Sequence, residues 1–178
     1  MANVLVISTS FRKNSNSDIL SDEFIKGAAE AGHNVEKINL SDKTINFCKG
    51  CLACQKTQKC IINDDAREIA EKVLNADILV FATPIYYYSV SGQLKTLIDR
   101  LNPLYSADYK FRKVYLIATA AEDEKETVKG TITAIKGFIE CFERSTLAGV
   151  IFAGGVNVPG EIKGHPALIE AYNIGKSL

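Results

Sequence analysis

The ten residues Ser8-Thr9-Ser10-Phe11-Arg12-Lys13-Asn14-Ser15-Asn16-Ser17 gather hydroxyls, side-chain amides and two cations into one short stretch. Such a set of donors suits an oxyanion. The stretch contains no glycine, so neither the dinucleotide fingerprint nor the Walker loop applies. A helix starting at its end would add free N–H groups and about half a positive charge. Ser10, Ser15, Asn16 and Ser17 can then add side-chain hydrogen bonds, and Arg12 a charge-assisted one. A single phosphate suits this geometry better than a pyrophosphate, which needs glycine for close backbone approach. The plainer alternative is that Ser15 or Asn16 only caps the helix.

A second chemical grouping is Cys48, Cys51, Cys54 and Cys60, spaced C-x2-C-x2-C-x5-C. This compact set can wrap a [4Fe–4S] cluster, with Gly50 letting the backbone approach. Zinc is a weaker match, because its usual scaffold is two separated C-x2-C knuckles. Free thiols, or a redox pair such as Cys51 with Cys60, are the remaining readings. Cys141, beside Phe138 and Phe142, reads as core packing. Asp99 and Arg100 read as a structural pair near a helix end. Only two histidines occur, His33 and His165, and neither adjoins a serine or cysteine in a hydrolase arrangement. No side chain is therefore assigned a catalytic role.

Those groups must be held by regular elements. Val4 to Ile7 form a β-branched run expected as a strand over Asn3 to Ser8, buried on both faces. Ile19, Leu20, Phe24, Ala28 and Ala31 recur at helical spacing over residues 17 to 31, and Gly32 ends the pattern. Further strands are expected at Asn34 to Leu40, Asp77 to Thr83, Lys113 to Thr119 and Thr146 to Phe152. Helices are expected after Asp64 or Asp65, at Ser91 to Leu101, over 123 to 143, and from Pro166 to Lys176. Asp65 with Glu68 would form a capping box. The cysteines occupy a loop from Ser41 to Asn63.

Five buried strands separated by helices imply one α/β domain over residues 1–178, a parallel sheet with helices on both faces. Ligands of such sheets bind beyond the carboxyl ends of the strands, at the reversal of strand order. Three loops meet that rule: 8 to 17, 83 to 92 and 118 to 123. In the second, Pro84 gives a stiff start, and an aromatic could pack on or shield a planar ligand. Tyr86, Tyr87 and Tyr88 cannot all face one ligand, so at least one is expected on the surface. The segment Gly154 to Gly160 reads as a loop reaching toward a neighbouring subunit.

The 21 basic and 21 acidic side chains cancel, which argues against a nucleic-acid partner. Apolar runs such as Ile78 to Ala82 are too short to span a bilayer. Residues 1 to 7 show no basic region or cleavage site, so a soluble, cytoplasmic protein without signal peptide is expected.

Ser10 to Ser17 resembles the S-x-R-x-x-S-N-[ST] phosphate loop of the NADPH-dependent FMN reductase family, within the flavodoxin-like superfamily. Thr83-Pro84-Ile85-Tyr86 resembles that family's [ST]-P-x-Y stretch, and Leu94 to Arg100 its L-K-x-x-x-D-R helix. The cysteine motif is similar to that of the iron–sulfur flavoproteins. The resemblance implies a flavodoxin-like fold with FMN phosphate held by Ser10, Arg12, Ser15, Asn16 and Ser17. It places Pro84, Ile85, Tyr86 and Tyr87 along the isoalloxazine, with Thr119 and Ala120 nearby, although the third loop lacks the glycine common in relatives. It implies NAD(P)H as co-substrate, a small acceptor (quinone, flavin, azo compound) or a redox partner protein, and a homodimer or homotetramer. Hydride transfer to a flavin needs no protein base, which accounts for the missing acid–base set. An iron–sulfur relay fed by a ferredoxin-like donor, with Cys48, Cys51, Cys54 and Cys60 on the cluster, is the alternative.

Overall fold

The apolar runs become strands because helices cover them on both sides. The computed structural model describes residues 1–178. The strands are β1 (Asn3–Ser8), β2 (Asn34–Asn39), β3 (Ile78–Pro84), β4 (Lys113–Thr119) and β5 (Thr146–Ala153). The helices are α1 (Asn16–Glu30), α2 (Ala53–Thr57), α3 (Ala66–Asn75), α4 (Gly92–Arg100), α5 (Lys129–Ile139) and α6 (Ala167–Lys176). All strand pairs are parallel, in the order β2-β1-β3-β4-β5. This is the flavodoxin-like α/β fold.

Alternation along each strand divides the core in two. Val4 and Val6 of β1 face a layer containing Leu20 and Phe24 of α1 and Ala171 of α6. Leu5 and Ile7 face the opposite layer, with Ile69 and Val73 of α3, Leu94 and Leu97 of α4, and Phe138 of α5. The chain leaves β1 toward β2 and returns past it to β3, so strand order reverses between β1 and β3. The loops after these two strands therefore diverge and leave a cleft between them.

Several boundaries differ from the sequence reading. Helix α5 covers Lys129–Ile139 rather than 123 to 143. Residues 121 to 126 are exposed and mostly charged, with no apolar stripe to bury, so they stay outside the helix. Beyond its end Cys141 is exposed rather than packed in the core. The expected capping box at Asp65 does not form. Asp65 instead accepts from the Thr44 N–H at 2.6 Å, while Asp64 accepts from the Ala66 N–H at 3.2 Å. Asp99 and Arg100 do not act as a pair. Asp99 binds Lys95 one turn back, and the buried Arg100 reaches across to Asp64.

Candidate functional site

The loop after β1 turns through Asn14, which takes a left-handed φ of 54°, and delivers Ser15 as the N-cap of α1. Ser15 Oγ accepts from the Asp18 N–H at 3.3 Å, and Ser10 Oγ accepts from the Arg12 N–H at 3.2 Å. Each hydroxyl acts here as an acceptor, so its own proton stays available for an oxyanion. The N–H groups of Ser15, Asn16 and Ser17 find no acceptor within the chain. Ser17 Oγ is fully buried and likewise has no partner. Burying a hydroxyl without a partner costs about 1–3 kcal/mol, so this group is poised for a ligand atom.

These residues line a cleft of about 130 Å³ that brings together Ser10, Arg12, Ser15, Asn16 and Ser17 with Pro84, Ile85, Tyr86, Thr119 and Ala120. Three expected loops thus converge. A fourth segment joins them. The 156–162 loop folds back over the phosphate loop, while Asn157, Val158 and Pro159 stay exposed. Arg12 donates to the Asn157 carbonyl at 2.7 Å, and Asn16 donates to the Val158 carbonyl at 3.0 Å while accepting from the Ile162 N–H at 3.2 Å. Both ends of the Asn16 amide are thereby engaged, so its side chain holds this loop and only its backbone N–H is free. Glu161 stiffens the turn by accepting from the N–H groups of Asn157 and Val158, which holds its carboxyl below the usual range.

Beneath the cleft lies a hydroxyl network absent from the sequence reading. Thr9 Oγ1 and Ser91 Oγ are 3.0 Å apart, and Thr83 Oγ1 accepts from the Ser91 N–H at 3.1 Å. All three residues are fully buried. They tie the ends of β1 and β3 to the start of α4, fixing the two loops relative to one another. The available signal is a hydroxyl residue at the end of each apolar strand, where another apolar residue would pack as well.

The tyrosines form a tight hairpin. Tyr86 and Ser89 exchange both backbone hydrogen bonds at 3.1 Å, and the two residues between them, Tyr87 and Tyr88, have φ of 49° and 60°. Two-residue turns of this hand favour Asn-Gly, so each tyrosine carries about 1 kcal/mol of backbone strain. The geometry separates the three side chains. Tyr86 lines the cleft and Tyr88 donates to the Glu122 carboxylate at 2.9 Å, which raises its pKa. Tyr87 is fully exposed, so its ring is not part of the cleft. The N–H groups of Ile85 and Tyr86 are already bound to Thr119 and Ser89 carbonyls, whereas those of Tyr87 and Tyr88 have no acceptor. Gly130 of α5 seats the hairpin: a Cβ there would lie 2.0 Å from the Tyr88 carbonyl oxygen.

The four cysteines of the loop are free thiols in different surroundings. Cys48 and Cys51 are exposed, whereas Cys54 is buried in α2, its Sγ 3.3 Å from the Asn102 side-chain amide. No three thiol, imidazole or carboxylate groups of the chain gather as a single metal ion would need. The loop is nonetheless firmly tethered. Arg100 donates to the carbonyls of Asn46 and Ile62 and to both Asp64 oxygens, closing the two ends of the segment. The histidines lie elsewhere in local roles, each accepting a backbone N–H at 3.1 Å.

A model of the family described as NADPH-dependent FMN reductase matches residues 2–154. An iron–sulfur flavoprotein of Methanocaldococcus jannaschii is 43% identical over 101 residues, covering 57% of this chain and 52% of that protein. The alignment thus spans about half the length of that curated relative. A Bacillus subtilis protein provisionally named as an NAD(P)H-dependent FMN-containing oxidoreductase is 30% identical over 97% of this chain and 96% of its own. Among solved structures, an NAD(P)H:quinone oxidoreductase from Methanothermobacter marburgensis aligns with a TM-score of 0.78 at 20% identity, over 99% of this chain and 95% of that one. An azoreductase from Bacillus anthracis aligns over 100% of both chains, with a TM-score of 0.77 at 16% identity. At these identities the structural likeness is one of fold.

Proposed function

The chain belongs to the NADPH-dependent FMN reductase family, and we propose that it is an FMN-dependent oxidoreductase that takes hydride from NAD(P)H and reduces a small acceptor such as a quinone, a flavin or an azo compound. The observation that carries this reading is the cleft at the β1/β3 reversal, where Ser17 Oγ and the first N–H groups of α1 lack partners. These donors fit a phosphate monoester. The chemistry of the cleft agrees, since it offers one arginine and no glycine-rich approach for a second phosphate.

In this reading Ser10, Ser15 and Ser17 donate to the phosphate of FMN, and the start of α1 with Arg12 balances its charge. Pro84, Ile85 and Tyr86, with Thr119 and Ala120, flank the remainder, and the free N–H groups of Tyr87 and Tyr88 are available to a polar ring edge. FMN held there supplies two-electron chemistry linking NAD(P)H oxidation to reduction of the acceptor. The chain's own contribution is to bind, orient and shield. The hydroxyl network of Thr9, Thr83 and Ser91 keeps the loops in register, and the 156–162 loop closes the phosphate end. No side chain is needed as acid or base. Residues 1–178 act as one FMN-binding domain, in the cytoplasm, as a homodimer or homotetramer.

A second reading, an iron–sulfur relay receiving electrons from a ferredoxin-like donor, is favoured by the spacing of Cys48, Cys51, Cys54 and Cys60 and by relatives such as the Methanocaldococcus protein. The relative that aligns over nearly the whole chain, named as an NAD(P)H-dependent FMN-containing oxidoreductase, favours the first reading. Anaerobic addition of NADH or NADPH decides between the two. Rapid bleaching of the flavin absorbance supports the reductase. Bleaching only by a low-potential donor, with iron and sulfide at about four per chain, supports the relay.

A further inference from the structure

A second cleft, of about 450 Å³, adjoins the first and shares Tyr86 with it. Its wall carries the rings of Phe11, Phe47 and Tyr86, which are 57%, 80% and 43% exposed. None of the three pairs with another ring of the chain. Rings that could have joined the core are instead left open beside the cofactor cleft, which is how a binding surface for a flat apolar molecule is built. Lys43 lines the same cleft. Its nearest carboxylate, Asp42, is 3.6 Å away and itself largely exposed, so the ammonium keeps donors to offer. At the floor, a Cβ added to Gly92 would meet nothing within 4 Å.

The geometry points to this cleft as the binding site of the electron acceptor, and to an acceptor that is a planar aromatic of about two fused rings bearing a carboxylate or sulfonate. This rests on the oxidoreductase reading above. The volume lies toward the small end of ligand sites. One lysine matches one acidic group, whereas a nicotinamide dinucleotide would bring a pyrophosphate and a second ring system that a single ammonium cannot balance. For a quinone of this class the net step moves a hydride from NAD(P)H and a proton from solvent, giving hydroquinone and NAD(P)⁺. Tyr86, common to both clefts, places the acceptor next to the cofactor.

Equilibrium binding to the purified protein tests the site without turnover, with naphthalene-2-sulfonate and neutral 2-naphthol as probes. The sulfonate is expected to bind more tightly by about fivefold, the upper end for a solvent-screened ion pair. Lys43→Gln should abolish that preference and leave 2-naphthol unchanged, and Gly92→Leu, whose Cβ meets nothing within 4 Å, should weaken both. In turnover with a sulfonated naphthoquinone, Lys43→Gln should raise KM with kcat and the rate of flavin reduction by NAD(P)H unchanged. Equal binding of the two probes, or a Lys43→Gln effect shared by the nucleotide step, overturns the assignment. Flavin reduction by NAD(P)H in a protein that binds neither probe would remove this inference alone. Selective sulfonate binding in a protein that NAD(P)H cannot reduce would keep the anionic aromatic site and remove the oxidoreductase reading.

Discussion

Replacing Asp64 tests whether the buried Arg100 clamp holds the cysteine loop. The two side chains are 0% and 3% exposed and meet through both guanidinium ends, at 2.7 and 2.8 Å. Asp64 also accepts from the backbone and side-chain nitrogens of Asn46, at 2.9 and 3.0 Å. Burial alone would raise the Asp64 pKa. The bonds from Arg100 and Asn46 outweigh it and hold the carboxyl at about 2 against an ordinary 3.8. A lowered carboxylate pKa gives stability that is complete above about pH 4 and lost as pH falls through about 2. That difference amounts to about 2 kcal/mol at pH 7, of which about half is gone at pH 3. Asp64→Asn should therefore lower the unfolding free energy by about 2 kcal/mol at pH 7 and by about 1 kcal/mol less at pH 3. Asp64→Ala, which strands the guanidinium, should cost about 3–5 kcal/mol. Urea unfolding at the two pH values measures both, and alkylation of Cys54 should quicken in each variant as the loop loosens. A wild-type to Asp64→Asn difference that stays constant between pH 7 and pH 3 would refute the electrostatic account of the clamp.

Other consequences follow from the same geometry. Ser17→Ala should weaken FMN binding by about 1 kcal/mol and Arg12→Ala by about 1–3 kcal/mol, read by flavin fluorescence quenching, with little change in thermal stability. Gly130→Ala should destabilise by about 1–3 kcal/mol in chemical denaturation, because its methyl meets the Tyr88 carbonyl. Gly137→Ala in the same helix, where nothing lies within 4 Å, should stabilise by about 0.5–1 kcal/mol. Tyr87→Asn, at a left-handed and fully exposed position, should raise Tm with a gain of about 0.5–1 kcal/mol.

The strands were legible because their code is local: Val4 to Ile7 or Ile78 to Ala82 can do little except sit between two layers of helices. The phosphate loop was legible for a related reason, since Ser15 is at once a helix cap and a donor at the N-terminus of α1. What escaped depends on pairs far apart in the chain. Nothing near Arg100 marks Asp64 as its partner, and the adjacent Asp99 is the misleading choice. Asn16 keeps its backbone N–H for a phosphate, but its side chain is taken by Val158 and Ile162, more than 140 positions away. The same bonds fold the 156–162 loop back over the phosphate loop. Tyr86, Tyr87 and Tyr88 are chemically identical, and only the left-handed turn decides which one lines the cleft. Apolar spacing over 123 to 143 overstates α5, because the charged stretch before Lys129 has nothing to pack against.

The central claim is that the cleft between the loops after β1 and β3 is a cradle for one phosphate of a flavin. Titrating flavin-free protein with FMN and with riboflavin tests it most directly, because the two ligands differ only in that phosphate. One FMN per chain is expected, with riboflavin bound at least about 100-fold more weakly, the equivalent of two charge-assisted hydrogen bonds. Equal affinity for the two flavins would contradict it.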